Sequence, residues 1–131
     1  MMDSNKVTIL IVGQRDESQS DLTDIIAREE TFEVHQVNNW QEGLSLSNNI
    51  KPDAILCDES IPLSDVLNAC KRLRDNPGVM STAFVLLAPP DSIEEKEKSL
   101  EAGIDGWIDR SEPPSLMIRK IKSWLRARNL Y

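Results

Sequence analysis

The sequence predicts a three-layer α/β/α sandwich around a parallel β-sheet of five strands in the order 2-1-3-4-5. Two observations lead to this prediction. Short apolar runs alternate strictly with amphipathic stretches through the 131 residues, which is the pattern of repeated strand–helix units. Several runs are apolar on both faces, as in parallel strands that helices cover from both sides. Right-handed crossovers then leave few arrangements of the strands.

The first two strand–helix units lie within residues 1–50. Residues 6–12 are a β-branched run that Gly13 ends, and an amphipathic helix follows. The apolar face of that helix carries Leu22, Ile25 and Ile26. Residues 32–37 form a weaker strand, and residues 40–49 form a short polar helix.

The next two strands are the most apolar after the first. Residues 52–58 run from a proline into Asp58, and residues 82–88 end at a pair of prolines. Between them, residues 65–75 form a helix with an apolar stripe, which the breaker sequence Asn-Pro-Gly ends. Together with residues 7–12, these two strands are expected to be the most deeply buried in the sheet.

The last two helices flank a short strand. Ser92 is the predicted N-cap of a highly charged helix that ends before Gly103. Residues 106–109 form the short strand, and Pro114 opens the final helix. Units of these lengths suit the flavodoxin-like order, in which a site lies beyond the carboxyl ends of the strands.

The composition predicts a single cytoplasmic domain over residues 1–131. Hydrophobic residues make up 40% of the chain and charged residues 28%, an ordinary globular mix. No apolar run approaches the roughly 20 residues that span a bilayer, and the polar N-terminus has no signal-peptide core. Cys57 and Cys70 make no disulfide framework, so we expect two reduced thiols in a cytosolic protein that does not contact a membrane.

The charge of the chain bears on its partners. The net charge is −7, which disfavours nucleic acid as a partner. Residues 114–131 nevertheless carry five basic side chains and no acidic one. This stretch is either a basic docking face or a solvated helix face whose cations suit the helix C-terminus.

Polar side chains follow the predicted strands where a site is expected. Asp58 is the one ionisable group that ends a buried apolar strand at a central position. Such a carboxylate can attack a phosphoryl group or bind a hard cation, or it can be an ordinary loop acid. No acid/base pair converges at the strand ends, so we do not expect an enzyme.

Three motifs resemble the receiver domain of bacterial two-component response regulators, the CheY-like family. They are residues 7–12 (VTILIV), residues 52–62 (PDAILCDESIP) and residues 99–107 (SLEAGIDGW). The resemblance extends from about Lys6 to Leu130 and places Asp58 at the phosphoacceptor position. It implies that a kinase transfers a phosphoryl group to this aspartate with Mg²⁺, and that a hydroxyl residue and a lysine then respond to the phosphate.

The same resemblance indicates a degenerate site. Gly13 and Gln14 stand where the family has the acidic pair that binds the metal. Ala88 stands at the Thr/Ser position and has lost the hydroxyl, and Arg110 stands at the lysine position. We therefore expect an Arg110–Asp58 ion pair in the resting protein.

Metal binding is expected to be weak at this site. Asp16 and Glu17 lie in the same loop as the missing acidic pair and are weak candidates to replace it, beside Asp58 itself. The predicted cofactor is therefore none, or weakly bound Mg²⁺. The double substitution Gly13→Asp with Gln14→Asp is expected to restore binding if the loop geometry is otherwise intact.

Two functions are compatible with these residues. The favoured one is an atypical receiver, or pseudo-receiver, that acts in a phosphorelay through protein–protein contacts. The alternative is a functional phospho-switch that accepts phosphate on Asp58 from a histidine kinase. In either case we expect protein partners, a histidine kinase or a downstream signalling protein, on the fourth helix, fifth strand and fifth helix. A weak homodimer is also expected there, because the basic set Arg119, Lys120, Lys122 and Arg126 is predicted to lie beside the charged fourth helix.

Overall fold

The computed structural model describes the backbone of residues 6–13 and 17–130. It describes the side chains of the same residues except 17–21. Five strand–helix units follow one another along the chain, as predicted. They are β1 (Val7–Val12), α1 (Glu17–Ala27), β2 (Phe32–Val37), α2 (Trp40–Ile50), β3 (Ala54–Cys57), α3 (Leu63–Arg74), β4 (Ala83–Leu86), α4 (Ile93–Ala102), β5 (Gly106–Trp107) and α5 (Pro114–Ala127). The strands form one parallel sheet in the order β2-β1-β3-β4-β5, which confirms the predicted fold class. Within the described residues, no helix has the length and apolar character needed to cross a membrane.

The register of the sheet brings the carboxyl ends of its central strands to one level. Val12 of β1 pairs with Cys57 of β3, which pairs with Leu86 of β4, which pairs with Trp107 of β5. The residues that follow these four therefore emerge side by side along one edge. Since parallel sheets place their sites at this edge, the register determines which side chains can meet there.

Two apolar cores lie on opposite faces of the sheet. Successive strand residues point to opposite faces, so Ile9 and Ile11 pack with α1 and α5, whereas Leu10 and Val12 pack with α3. All four of these side chains are fully buried. Burial of such a side chain contributes roughly 1.5–3 kcal/mol. The strands expected to be most buried, β1, β3 and β4, are those whose residues are almost all buried.

The connection between β4 and α4 is held at both ends. It begins with Pro89 and Pro90, which restrict the backbone. Ser92 accepts a hydrogen bond from the backbone N–H of Glu95 at 3.1 Å, and the Glu95 carboxylate accepts one from the N–H of Asp91 at 3.0 Å. This reciprocal arrangement is a form of capping box and confirms Ser92 as the N-cap.

A half-buried carboxylate joins four elements on the other side of the molecule. Asp105 precedes β5 and accepts hydrogen bonds from Arg74 at the end of α3 (3.0 Å) and from the backbone N–H of Phe84 in β4 (2.8 Å). Its second oxygen accepts one from Arg128, just beyond α5, at 2.8 Å. The side chain of Asp105 is 16% exposed, so these contacts are poorly screened by solvent.

Both cysteines are free and buried. Burial raises the pKa of Cys70 to about 11 and also raises the pKa of Cys57. Because the thiolate is the reactive form, both side chains behave as small apolar residues, as predicted.

Candidate functional site

Asp58 lies at the carboxyl end of β3, and β1 fixes its backbone. Its N–H donates to the carbonyl of Val12 at 2.8 Å, and its own carbonyl accepts from the N–H of Ile61 at 3.1 Å. The residue is 4% exposed. A buried carboxylate needs a compensating charge or hydrogen-bond donors.

Arg110 supplies that charge. Its Nη2 donates to the Oδ1 of Asp58, and its Nε donates to the carbonyl of Leu87 at 3.4 Å. The Arg110 side chain is 25% exposed and the Asp58 side chain 5%. The ion pair expected from the sequence is therefore present, with the aspartate as its buried partner. Glu59, whose carboxylate lies 3.8 Å from the Nε of Arg110, is 64% exposed and adds a weaker contact.

Gly13 packs directly against Asp58. A Cβ atom built on Gly13 would lie 2.3 Å from the Cβ of Asp58 and 3.0 Å from its Oδ2. The Gly13 backbone is also fixed, because its N–H donates to the carbonyl of Val37 at 3.0 Å and its carbonyl accepts from the Gln36 side chain at 2.9 Å. A side chain at position 13 therefore fits only if Asp58 or the backbone shifts, and the restoration of a metal site by Gly13→Asp with Gln14→Asp stays a prediction that requires such a shift.

The described residues around Asp58 provide few of the ligands that Mg²⁺ requires. This ion requires near-octahedral oxygen ligands, of which one or two are carboxylates. Among the side chains of residues 6–13 and 22–130, no three His, Cys, Asp or Glu residues are grouped so as to hold a metal, and the Asp58 carboxylate is already paired with Arg110. Gln14 and Asp16 lie outside the described residues, as does the side chain of Glu17, so their candidacy as ligands stays a prediction.

Ala88 lies in the wall of a cavity next to Asp58. The cavity has a volume of about 320 Å³, and its walls also include Pro62, Pro89 and Pro90. The methyl group of Ala88 offers no hydrogen-bond donor to a group bound at Asp58. The structure thus brings three of the predicted site positions, 58, 88 and 110, to one edge of the sheet, with Gly13 beside them.

The loop that carries Arg110 is braced by its own side chains. The Oδ1 of Asp109 accepts from the N–H and the Oγ of Ser111, at 2.9 and 2.8 Å. The Glu112 carboxylate accepts from the N–H of Asp109 at 2.9 Å and from the Nζ of Lys120 on α5 at 3.1 Å. The brace fixes the backbone on both sides of Arg110. The brace was not predicted from the sequence, although Asp-x-Ser-Glu before a helix is the type of pattern that makes such local bonds.

We expect the brace to contribute a pH-dependent stability. The N–H of Asp109, and then Lys120, lower the pKa of Glu112 below its ordinary value of 4.5. A carboxyl group whose pKa is lowered on folding stabilises the native state above the unfolded pKa, and the contribution is lost as the pH falls through the folded pKa. Urea unfolding at a series of pH values from about 6 to about 3 should show a shallower loss of stability for Glu112→Gln than for the parent protein.

Glu97→Gln is the matched control for this measurement. Glu97 is exposed on α4 and has no ion pair or side-chain hydrogen bond within the described part of the chain. Its substitution removes the same carboxylate charge without touching the loop. Equal slopes for the two variants would contradict a structural role of Glu112.

Three of the basic residues of α5 do not lie where they were predicted to lie. Arg119, Lys122 and Arg126 line a groove against α1, and Lys122 pairs with Glu29 of that region at 2.8 Å. Lys120 pairs with Glu112 and lies 5.7 Å from the ring centroid of Trp124. The prediction that the basic set lies beside α4 is therefore wrong for Arg119, Lys122 and Arg126. The spacing of residues on a helix shows which of them share a face, but it does not show which neighbour that face meets.

Comparison with known proteins agrees with the architecture. The sequence model of the response regulator receiver domain matches residues 9–122. The chain is 25% identical over 125 residues to the DNA-binding response regulator MtrA of Mycolicibacterium smegmatis. The matched residues make up 95% of this chain and 53% of that protein. The chain thus spans about half the length of this curated relative.

Solved structures share the same fold. A structure solved as a response regulator from Chloroflexus aurantiacus has a TM-score of 0.78 at 26% identity, over 92% of this chain and 98% of that one. The chemotaxis response regulator CheY4 of Vibrio cholerae has a TM-score of 0.76 at 18% identity, over 91% and 98% of the two chains. The protein belongs to the response regulator receiver domain family of two-component systems, which confirms the resemblance drawn from its three motifs.

Proposed function

We propose that this receiver domain is a pseudo-receiver, a signalling module that acts through protein contacts without a phosphorylation switch. The observation that carries the proposal is the Arg110–Asp58 ion pair, which occupies the acceptor carboxylate in the resting protein. A guanidinium at this position is a fixed counter-charge that belongs to the chain itself. Receiver domains are signalling domains, and we propose no catalytic activity for this one.

The electrostatics of phosphoryl transfer support the proposal. The incoming group is dianionic and the Asp58 carboxylate is an anion, so transfer depends on positioning and on neutralising charge. Arg110 provides one positive charge, and the described residues offer no set of ligands for a divalent cation. We therefore propose that Mg²⁺ binds weakly or not at all.

The loss of a hydroxyl at Ala88 is also expected to slow phosphoryl transfer to Asp58. A hydrogen bond to a charged group is worth roughly 1.5–3 kcal/mol. Each 1.4 kcal/mol of lost transition-state stabilisation costs about a factor of ten in rate. With the metal ligands and the hydroxyl both replaced, we expect labelling of Asp58 to be slower by orders of magnitude than in a receiver with the full set of groups.

Incubation with acetyl phosphate tests this proposal. We expect little or no phosphoprotein by intact mass or phosphate-affinity electrophoresis, with or without Mg²⁺. Asp58→Asn serves as the blank. Asp91→Asn is the matched control, because Asp91 lines the same cavity and its loss changes the charge equally.

A second candidate function is a phospho-switch that accepts phosphate on Asp58 from a histidine kinase. The observation in its favour is that Asp58 borders an open cavity at the correct edge of the sheet. Rapid stoichiometric labelling that is lost in Asp58→Asn and kept in Asp91→Asn would establish this function and overturn the pseudo-receiver.

The face formed by α4, β5 and α5 is the proposed surface for partners, a histidine kinase or a downstream signalling protein in the cytoplasm. Its apolar side chains support this proposal. Ile93 is 76% exposed, Leu100 53% and Leu116 41%. Ile93 and Leu100 lie seven residues apart on α4, and therefore on the same side of the helix. The same face is the proposed contact of a weak homodimer.

A further inference from the structure

A second surface lies on the opposite side of α5 and has a different character. It is a groove of about 560 Å³ between α1 and α5, which we call the α1–α5 groove. Half-buried Ile25 and Ile118 lie in it, and Arg28, Arg119 and Arg126 are exposed along it. It shares none of its lining residues with the cavity at Asp58.

The charge of this groove is opposite to that of the whole molecule. Glu29 is the one acidic residue among the described residues that line it, and Lys122 pairs with it at 2.8 Å. Arg28, Arg119 and Arg126 have no ion pair within the described residues. Within the described residues, three arginines of the groove are thus without an ion pair, on a protein whose net charge is −7.

We infer that the α1–α5 groove binds an acidic amphipathic helix of a protein partner. The groove follows α5 from Pro114 to Arg126, a length of roughly 18 Å at 1.5 Å per residue, which matches about three turns of helix. An apolar ridge on that helix would pack on Ile25 and Ile118, and flanking carboxylates would pair with the arginines. Helix-in-groove recognition combines these two features.

Nucleic acid and anionic lipid fit the groove less well. Both would contact the arginines, but the acidic remainder of the molecule repels an extended polyanion. Neither offers an apolar ridge of helical width for Ile25 and Ile118. The inference is also independent of the proposed function, because the groove does not include Asp58 or Arg110.

Fluorescence anisotropy with designed peptides tests the inference on the full chain. The probe is a labelled peptide of about 15 residues, long enough to form some helix alone, with leucines on one face and glutamates beside them. A peptide with lysines in place of the glutamates is its counterpart. We expect the acidic peptide to bind in a salt-dependent manner and the basic peptide to bind at least tenfold more weakly.

Substitutions in the groove locate the binding. The triple variant Arg28→Gln, Arg119→Gln, Arg126→Gln should lower the affinity for the acidic peptide about tenfold, which is about 1.4 kcal/mol of binding free energy. The matched control is Lys71→Gln, Arg72→Gln, Lys98→Gln, which removes three exposed cations from α3 and α4. It changes the net charge equally and should leave the affinity within about twofold. Asp58→Asn should also leave it unchanged.

Three results would overturn the inference. One is equal binding of the acidic and basic peptides, a comparison that does not depend on any variant folding. Another is an equal loss of affinity in the two triple variants. The third is tighter binding of duplex DNA, or of phosphatidylserine–phosphatidylcholine vesicles, than of the acidic peptide under the same salt conditions.

Discussion

Replacement of Arg110 by methionine is expected to lower the free energy of unfolding by about 2–3 kcal/mol at neutral pH. Removing one partner of a buried ion pair leaves the other charge uncompensated, which costs roughly 3–5 kcal/mol when both groups are fully buried. Arg110 is 25% exposed, so its contact is partly screened, whereas the Asp58 side chain is 5% exposed and would be poorly hydrated without its partner. Urea or thermal unfolding measures the effect.

The two partners should respond unequally. Asp58→Asn leaves Arg110 with access to water and should cost only about 1 kcal/mol. The double variant Arg110→Met with Asp58→Asn should therefore be more stable than Arg110→Met alone, since the buried charge is gone. If the two single effects simply add, the residues do not interact and the ion pair has no energetic role.

Gly13→Ala is expected to destabilise the protein by about 2–3 kcal/mol, as overpacking of a well-filled site does. The added methyl would lie 2.3 Å from the Cβ of Asp58, far inside van der Waals contact. Relief requires β1 and β3 to separate or Asp58 to shift away from Arg110. The hydrogen bonds that hold the Gly13 backbone to β2 oppose the first movement.

Gly78→Ala is the matched control. A Cβ on Gly78 would meet only the Asn76 side chain, at an ordinary 3.5 Å, so this variant should stay within about 0.5 kcal/mol of the parent. Asp58→Gly removes the atom that clashes. If Gly13→Ala costs as much in an Asp58→Gly background as in the parent protein, the steric explanation is incorrect.

The fold could be predicted because its determinants are local. Apolar runs such as residues 7–12, breakers such as Gly13 and caps such as Ser92 each act within a few residues of the chain. The alternation of strands and helices then leaves few parallel arrangements. The short β5, two residues against a prediction of four, shows the usual uncertainty at element ends.

The site could be predicted in position but not in packing. Asp58 and Arg110 each follow a strand, so their meeting at one edge follows from topology. The close approach of Gly13 to Asp58 depends on the exact register of β1 against β3, which no local pattern specifies. The orientation of the basic face of α5 likewise depends on how that helix is rotated on the sheet.

The contacts of Asp105 have a consequence for local unfolding. A single carboxylate accepts donors from α3, from β4 and from the residue that follows α5. None of these segments can unfold locally without losing its hydrogen bond to this mostly buried carboxylate. The final turn of a helix normally frays and exchanges its amide hydrogens quickly. Here the end of α5 is joined to the ends of α3 and β4, so the amide protons of all three are expected to exchange together, in one cooperative opening.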